Sequence, residues 1–433
     1  GARDSLGPRF GALSDTSVLN VLECLMAGEL CKVSRCSRAL YCFAHHDELW
    51  KVITLRDVGG RFSFSSCWKQ TFLNSTLGAS APRHLRQRVA GVYSDLLFQP
   101  WLCASLRLKP KWLARDNIDR RSGLSPEDFV REYEGPNRPV VITDVVTKWP
   151  AMQKWTPEYL LELCGDTAFE AGPVDMRLGD FLKYSEGCEE EKPLYLFDRK
   201  SFDKVPALAA DYEVPPYFTA DLFSVLGDKR PDFRWLIVGP DRSGSNFHVD
   251  PNSTGAWNAV VTGRKKWILF PPHVPPPGVE PSEDGSEVQA PVSIAEWFLN
   301  YYPSTRDGKV KPVECVCEAG ELIYVPHGWW HCVLNLEPGI AITQNYVSER
   351  NLPAVLTHLR DKPQCVSGVD FARRESLYAE FATALEAAGH SVPTLPPPPA
   401  PACAKGAGGL ERQGSSGEGK RTSLWDKLVP PGG

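Results

Sequence analysis

Long apolar runs are absent. No stretch of the 433 residues approaches the ~20 consecutive apolar positions that span a bilayer, so no transmembrane helix is expected. No succession of basic, apolar and small residues opens the chain, so secretion is not expected either. Cys-x-x-Cys is absent too, although the sequence holds 13 cysteines, an odd number. Cys315 and Cys317 are one residue apart, and no second pair stands at zinc-ligand spacing. These absences argue against a disulfide framework and a structural zinc site. Free, mostly buried thiols in a reducing intracellular compartment, nucleus or cytoplasm, are the expectation. Dense Lys/Arg runs are missing as well, although charge is uneven: residues 1–115 carry +8 and the remainder −13. Direct nucleic-acid binding is not indicated. A solvated helix surface accounts for the basic front.

What is present is globular. Charged residues at 23% and aromatics at 10% exclude wholesale disorder, and the length exceeds one ordinary core. Residues 10–56 read as short helices. Ser14 or Asp15 caps the first, with Val18, Leu19, Leu22 and Leu25 on related faces, and Gly28 interrupts it. A unit this short must dock on another element or a partner. Residues 57–115 form a linker or helical extension. From 116 to 348 the pattern turns to strands. Ser125 caps a helix starting at Pro126, and Pro139-Val-Val-Ile-Thr is a buried strand. Many further short apolar runs are punctuated by Gly263, Pro271-Pro272, Gly320, Gly328 and Pro338-Gly339. That spacing predicts a sandwich or barrel, not a parallel α/β sheet. Helical periodicity returns over 349–390, and a Pro/Gly/Ser-rich tail over 391–433 is expected to be disordered.

Three His-x-Asp/Glu triplets occur, where about one is expected from 9 histidines and 53 acids: His45 with Asp47, His46 with Glu48, and His248 with Asp250. Spacing alone decides nothing. On a strand, residues i and i+2 share a face and can grip one ion; on a helix they diverge by ~100° per residue and cannot. His45 and His46 fall in the helical segment. His248 and Asp250 lie in or beside a strand, and only they have chelating geometry. A third ligand must come from elsewhere. His331 begins an apolar strand, whereas His327 sits beside a Pro-x-Gly turn, so His331 is preferred. Two histidines and a carboxylate form the facial triad of non-haem Fe(II) oxygenases, which leaves positions open for co-substrate and oxygen.

Several separated motifs appear in order: His248-Val-Asp250; Ala256-Trp-Asn-Ala-Val-Val-Thr-Gly-Arg-Lys-Lys-Trp-Ile-Leu-Phe-Pro; and Gly320-Glu-Leu-Ile-Tyr-Val-Pro-His-Gly-Trp-Trp-His331. They resemble JmjC domains over roughly residues 110–350, and most of all the branch with arginine-demethylase and lysyl-hydroxylase activity. The resemblance implies a mainly β fold with helical additions: a double-stranded β-helix, the cupin-like jelly-roll. It implies Fe(II), with 2-oxoglutarate and O2 as co-substrates. It assigns His248, Asp250 and His331 to iron, and Lys265, Tyr195 and Thr343 to the distal carboxylate of 2-oxoglutarate. Asn258 falls near the metal end of that molecule. A protein or peptide substrate is implied, by lysyl hydroxylation or by demethylation of N-methyl-arginine or N-methyl-lysine. Histones and RNA-processing proteins are candidates. The acidic Glu189-Glu-Glu run, the Pro-rich insertion near 271–293 and the tail depart from that branch and are expected to govern docking.

The N-terminal pattern Leu13-Ser-Asp, Leu30-Cys-Lys-Val-Ser-Arg-Cys-Ser-Arg-Ala and Asp47-Glu-Leu-Trp-Lys resembles an F-box. That resemblance implies a small all-α domain over residues 10–56 that binds the Skp1 adaptor of cullin ubiquitin ligases. Two rival functions follow. One is a substrate-recruiting adaptor with an inactive or sensing oxygenase fold, against which the intact triad and Lys265 argue. The other is a small-molecule cupin, such as an isomerase, which usually takes more histidine ligands.

Overall fold

The computed structural model describes residues 6–397 except 86, 283–286 and 309. The tail beyond 397 lies outside the described residues, so the expectation of disorder there falls largely outside them. No described helix is long and apolar enough to cross a membrane. All twelve described cysteines are free, seven of them buried.

The chain begins with short helices: α1 (Gly7–Phe10), α2 (Asp15–Glu23), α3 (Ala27–Val33), α4 (Arg38–Ala44), α5 (Asp47–Asp57) and α6 (Trp68–Leu77). Polar caps set their starts. The Ser14 hydroxyl accepts from the Ser17 amide, and the Ser37 hydroxyl accepts from the Leu40 amide. The first break differs from the sequence expectation. Gly28 lies inside α3, and the chain turns at Cys24–Met26, where Glu29 reaches back to the Met26 amide. A glutamate reaching back to the cap amide, not a glycine, marks the start of the next helix. A later helix, α7 (Asp95–Ser105), is capped by Ser94.

Among the described residues fifteen short strands follow: β1 (Arg120–Arg121), β2 (Val140–Ile142), β3 (Ala168–Ala171), β4 (Val174–Arg177), β5 (Leu196–Asp198), β6 (Arg234–Gly239), β7 (Gly244–His248), β8 (Gly255–Thr262), β9 (Lys265–Phe270), β10 (Glu280–Pro281), β11 (Val288–Gln289), β12 (Val313–Cys317), β13 (Leu322–Val325), β14 (Trp330–Asn335) and β15 (Gly339–Tyr346). Nine of them form one sheet in the order β1-β2-β13-β8-β15-β6-β5-β3-β4, and four form a second in the order β12-β9-β14-β7. Pairing is antiparallel throughout both sheets except between β1 and β2. The two sheets face each other as a jelly-roll.

Strand alternation sorts the side chains into three layers. Between the sheets lie Val141, Ala256, Val260, Ile323 and Val325 from the larger and Trp267, Leu269, Cys315, Cys317 and Val333 from the smaller. On the outer face of the smaller sheet, Ile268, Phe270, Cys332 and Leu334 meet Trp297, Phe298 and Tyr302. On the outer face of the larger, Trp257, Tyr324 and Tyr346 meet Phe129 and Phe218 in a core that runs on to Leu49, Trp50, Ile53 and Trp68 of the N-terminal helices. The N-terminal unit therefore shares its core with the barrel. A buried ion pair reinforces the seam: Lys51 Nζ donates to Glu190 Oε2 at 2.5 Å and to the Lys192 carbonyl at 2.8 Å. The acidic run expected to guide docking thus has its middle residue turned inward as an internal anchor. The helices Leu352–Asp361 and Leu377–Ala387 close the far side through Val355, Leu359 and Phe381, packed on Leu222 and Phe223.

Candidate metal centre and co-substrate pocket

His248 ends β7, and its Cα partner across the ladder is His331 on β14. Their rings stand 4.2 Å apart, centroid to centroid. Asp250, two residues on, turns to the same side, with Oδ2 4.0 Å from His331 Nε2. One ligand atom from each of the three lies within 4.8 Å of the others, and among the described residues no other such group is found. Both imidazoles are oriented the same way. His248 Nδ1 donates to the Asn246 carbonyl at 2.7 Å, and His331 Nδ1 donates to the Trp329 carbonyl at 3.0 Å. With the proton held at Nδ1, each Nε2 lone pair is free to ligate.

The second cluster sits farther along the same interior. His331, Val333 and Asn335 point inward from β14, and Lys265 is the Cα partner of Asn335. Four residues of strand separate the registers of His331 and Lys265 by ~13 Å. The Lys265 ammonium is 2% exposed and donates to the Tyr195 hydroxyl at 3.1 Å. Among the described residues no carboxylate faces it, and burial pushes its pKa down to about 7. Its neighbour in sequence is the contrast. Lys266 points outward, where Nζ meets Glu314 Oε2 at 2.9 Å with both side chains wholly buried. One lysine is neutralised by the protein, and the other is buried in the barrel interior without a counter-charge. Tyr195 packs against the backbone of Gly239, where a Cβ would come within 2.6 Å of the ring. On the opposite sheet Thr343 pairs with Asn258. The Thr343 hydroxyl donates to the Trp257 carbonyl at 2.9 Å, and Asn258 Oδ1 is buried with no hydrogen-bond partner.

Comparison with known proteins agrees. The cupin-like domain family matches residues 126–174 and 167–351. The arginine-specific demethylase JMJ22 of Arabidopsis thaliana is 50% identical over 87% of this chain and 76% of its own length. The lysine-specific demethylase JMJ21 of the same plant is 36% identical, but this chain covers only 38% of it. The bifunctional arginine demethylase and lysyl-hydroxylase psr-1 of Caenorhabditis elegans is 38% identical over 56% of this chain and 64% of that protein.

This chain belongs to the cupin-like JmjC family.

The electrostatics of this JmjC interior fit a cation at one end and an anion at the other. Burial pushes both His248 and His331 down to about 4, so both are neutral at physiological pH. Burial pushes the Asp250 carboxyl up to about 6, and its Oδ2 has no hydrogen-bond partner. Two neutral nitrogens and an unsatisfied buried carboxylate oxygen are the donor set a divalent cation requires.

The structure brings His248, Asp250 and His331 together, sets Lys265 against Tyr195 farther along the same inter-sheet interior, and pairs Asn258 with Thr343 across the larger sheet. His327 lies in the β13–β14 turn, outside the metal-capable group, and its carbonyl accepts from Asn137 Nδ2. His45 ends α4, with Nδ1 on the Tyr41 carbonyl and Nε2 facing Lys69 Nζ at 2.7 Å, and His46 precedes α5. Both are far from chelating geometry. The two tryptophans before His331 split: Trp329 joins the interior and donates to the Asn137 carbonyl, while Trp330 packs outward with Phe247 and Trp297. Two polar residues escaped the sequence reading. Asn335 hydrogen-bonds to Ser243 Oγ at 2.9 Å and contacts the Tyr195 hydroxyl. Asn345 hydrogen-bonds to Asp250 and to Thr254 Oγ1. The same i, i+2 rule that selected Asp250 reaches Asn335 from His331 in two steps and Asn345 from Thr343 in one.

Proposed function

We propose that this protein is an Fe(II)- and 2-oxoglutarate-dependent oxygenase that modifies protein side chains. The observation that carries this reading is one inter-sheet interior with a three-ligand cluster where β7 meets β14 and an unneutralised buried ammonium farther along the same face. His248, Asp250 and His331 hold the iron. When bound, iron supplies the activation of O2 coupled to oxidative decarboxylation of 2-oxoglutarate. Lys265 and the Tyr195 hydroxyl receive the distal carboxylate, Thr343 flanks it, and Asn258 offers its amide toward the metal end. The apolar walls, Val260, Trp267, Leu269 and Ile323, exclude water from the reacting groups.

The position of the target carbon selects the product. A side-chain carbon gains a hydroxyl; an N-methyl carbon, once hydroxylated, leaves as formaldehyde. The relative with 50% identity is named an arginine-specific demethylase, which favours methylarginine, and a histone or RNA-processing substrate places the reaction in the nucleus. Mass spectrometry of methylated and unmethylated peptides after incubation with Fe(II) and 2-oxoglutarate tests this. A gain of oxygen reports hydroxylation and loss of a methyl group reports demethylation. Neither product, with no succinate formed, refutes catalysis.

We further propose that residues 10–56 act as an F-box-like docking unit for the Skp1 adaptor. Val21 and Met26 stay 43% and 60% exposed on an otherwise packed helical unit. This role adds recruitment to catalysis. Failure of the full chain to capture purified Skp1 removes it.

A further inference from the structure

Asp250 is followed by a short turn, Pro251–Ser253, whose middle residue is strained: Asn252 has φ 55° and ψ 21°. Asparagine tolerates this left-handed conformation better than most residues, so the backbone alone explains its presence. It does not explain the side chain, which is buried and fully engaged. Asn252 Nδ2 donates to the Ser367 carbonyl at 3.0 Å, and the Ser367 amide donates back to Asn252 Oδ1 at 3.1 Å. The amide thus pairs with a backbone unit 115 residues away in sequence.

Ser367 is itself fixed on both sides. Val366 is buried with Val355, Leu359, Leu377 and Phe381 of the C-terminal helices. Gly368 has φ +76°, accepts from the Asp232 amide at 2.8 Å, and leaves no room for a Cβ, which would stand 2.8 Å from that nitrogen. The segment 366–368 is therefore wedged between the C-terminal helices, the loop before β6 and the turn after Asp250. From the other side the turn is tied to β15, because Asn345 Nδ2 donates to Thr254 Oγ1 at 2.8 Å and Thr254 Oγ1 donates to the Pro251 carbonyl at 2.8 Å.

We infer that the C-terminal segment is a working part of the metal centre: the Asn252–Ser367 bridge is a positioning contact that holds Asp250 in ligating geometry. This rests on the reading of Asp250 as a metal ligand. Metal binding and docking of the segment are then one coupled equilibrium, and coupling is reciprocal. Contacts that orient ligands typically contribute 10–100-fold in metal affinity.

The full chain, stripped of metal, is titrated with Co(II) alone and followed by visible absorption. Asn252→Gly keeps the left-handed backbone accessible and deletes only the bridge. It is expected to weaken Co(II) binding by roughly 10-fold or more, with an unchanged far-UV spectrum. In the unsubstituted chain, Co(II) is expected to slow hydrogen exchange at the Ser367 amide, a readout that stands even if the variant does not fold. Co(II) affinity retained in Asn252→Gly, with exchange at Ser367 indifferent to metal, overturns the inference. His248→Ala separates the two claims: if it binds Co(II) as tightly as the unsubstituted chain, the triad reading itself falls.

Discussion

Replacing Lys265 by methionine tests the polarity of the barrel interior most directly, because it acts in opposite directions on stability and on binding. Carrying this ammonium from its ordinary 10.5 down to about 7 amounts to ~5 kcal/mol against the charged form. The unfolded chain keeps the proton up to about pH 10.5 and the folded chain only to about 7. The penalty is therefore fully present below pH 7 and fades as pH rises from 7 to 10.5. Methionine has similar length and no charge to desolvate, and replacing a buried charge with a well-packed apolar side chain is commonly stabilising. Lys265→Met, free of metal and 2-oxoglutarate, is expected to melt roughly 5–10 °C higher than the unsubstituted chain at pH 6. The gain shrinks toward pH 10. The same change removes the counter-charge for a dicarboxylate, a charge-assisted contact worth ~3 kcal/mol, or roughly 100-fold. Calorimetric titration with N-oxalylglycine, an unreactive 2-oxoglutarate analogue, in the presence of Mn(II) reads that loss. A variant no more stable than its parent at pH 6, or one that binds the diacid as well, refutes the assignment of Lys265 as an anion receptor.

His248→Ala is expected to abolish 2-oxoglutarate turnover to succinate while leaving the fold intact by far-UV circular dichroism. Metal affinity should be level from pH 8 to about 6.5 and fall below about 6, where Asp250 takes up a proton that the cation must displace; a fall centred near 6.5, set by the histidines, contradicts the burial argument. The apo chain should lose stability as pH drops from 6.5 toward 4, because His248 and His331 charge only on unfolding in that window; flat urea midpoints over that range count against it. Lys51→Met leaves Glu190 buried without its partner and should cost ~3–5 kcal/mol in chemical denaturation, with Lys51→Met/Glu190→Gln recovering a large part.

Strand alternation made much of the fold and the core of the candidate site legible. Apolar runs punctuated by glycine and proline led to a two-sheet barrel, and the i, i+2 rule separated His248-Val-Asp250 from two helical look-alikes. The break after α2 was misread because a glycine is a visible punctuation mark, whereas a glutamate reaching back to the Met26 amide is one of many polar options. Docking of the N-terminal helices was expected, but its partner was not. Nothing near Lys51 in sequence points to Glu190, 139 residues away.

The lysine pair shows where the division falls. Sequence determines that Lys265 and Lys266 occupy one strand and must face opposite sides, since successive Cβ atoms alternate. Only the packed sheets decide that Glu314 and Tyr302 wait on one side, while the other faces the inter-sheet interior that His331 also enters. Register and burial are properties of two sheets pressed together, and the charge left without a partner appears only once every neighbour is in place.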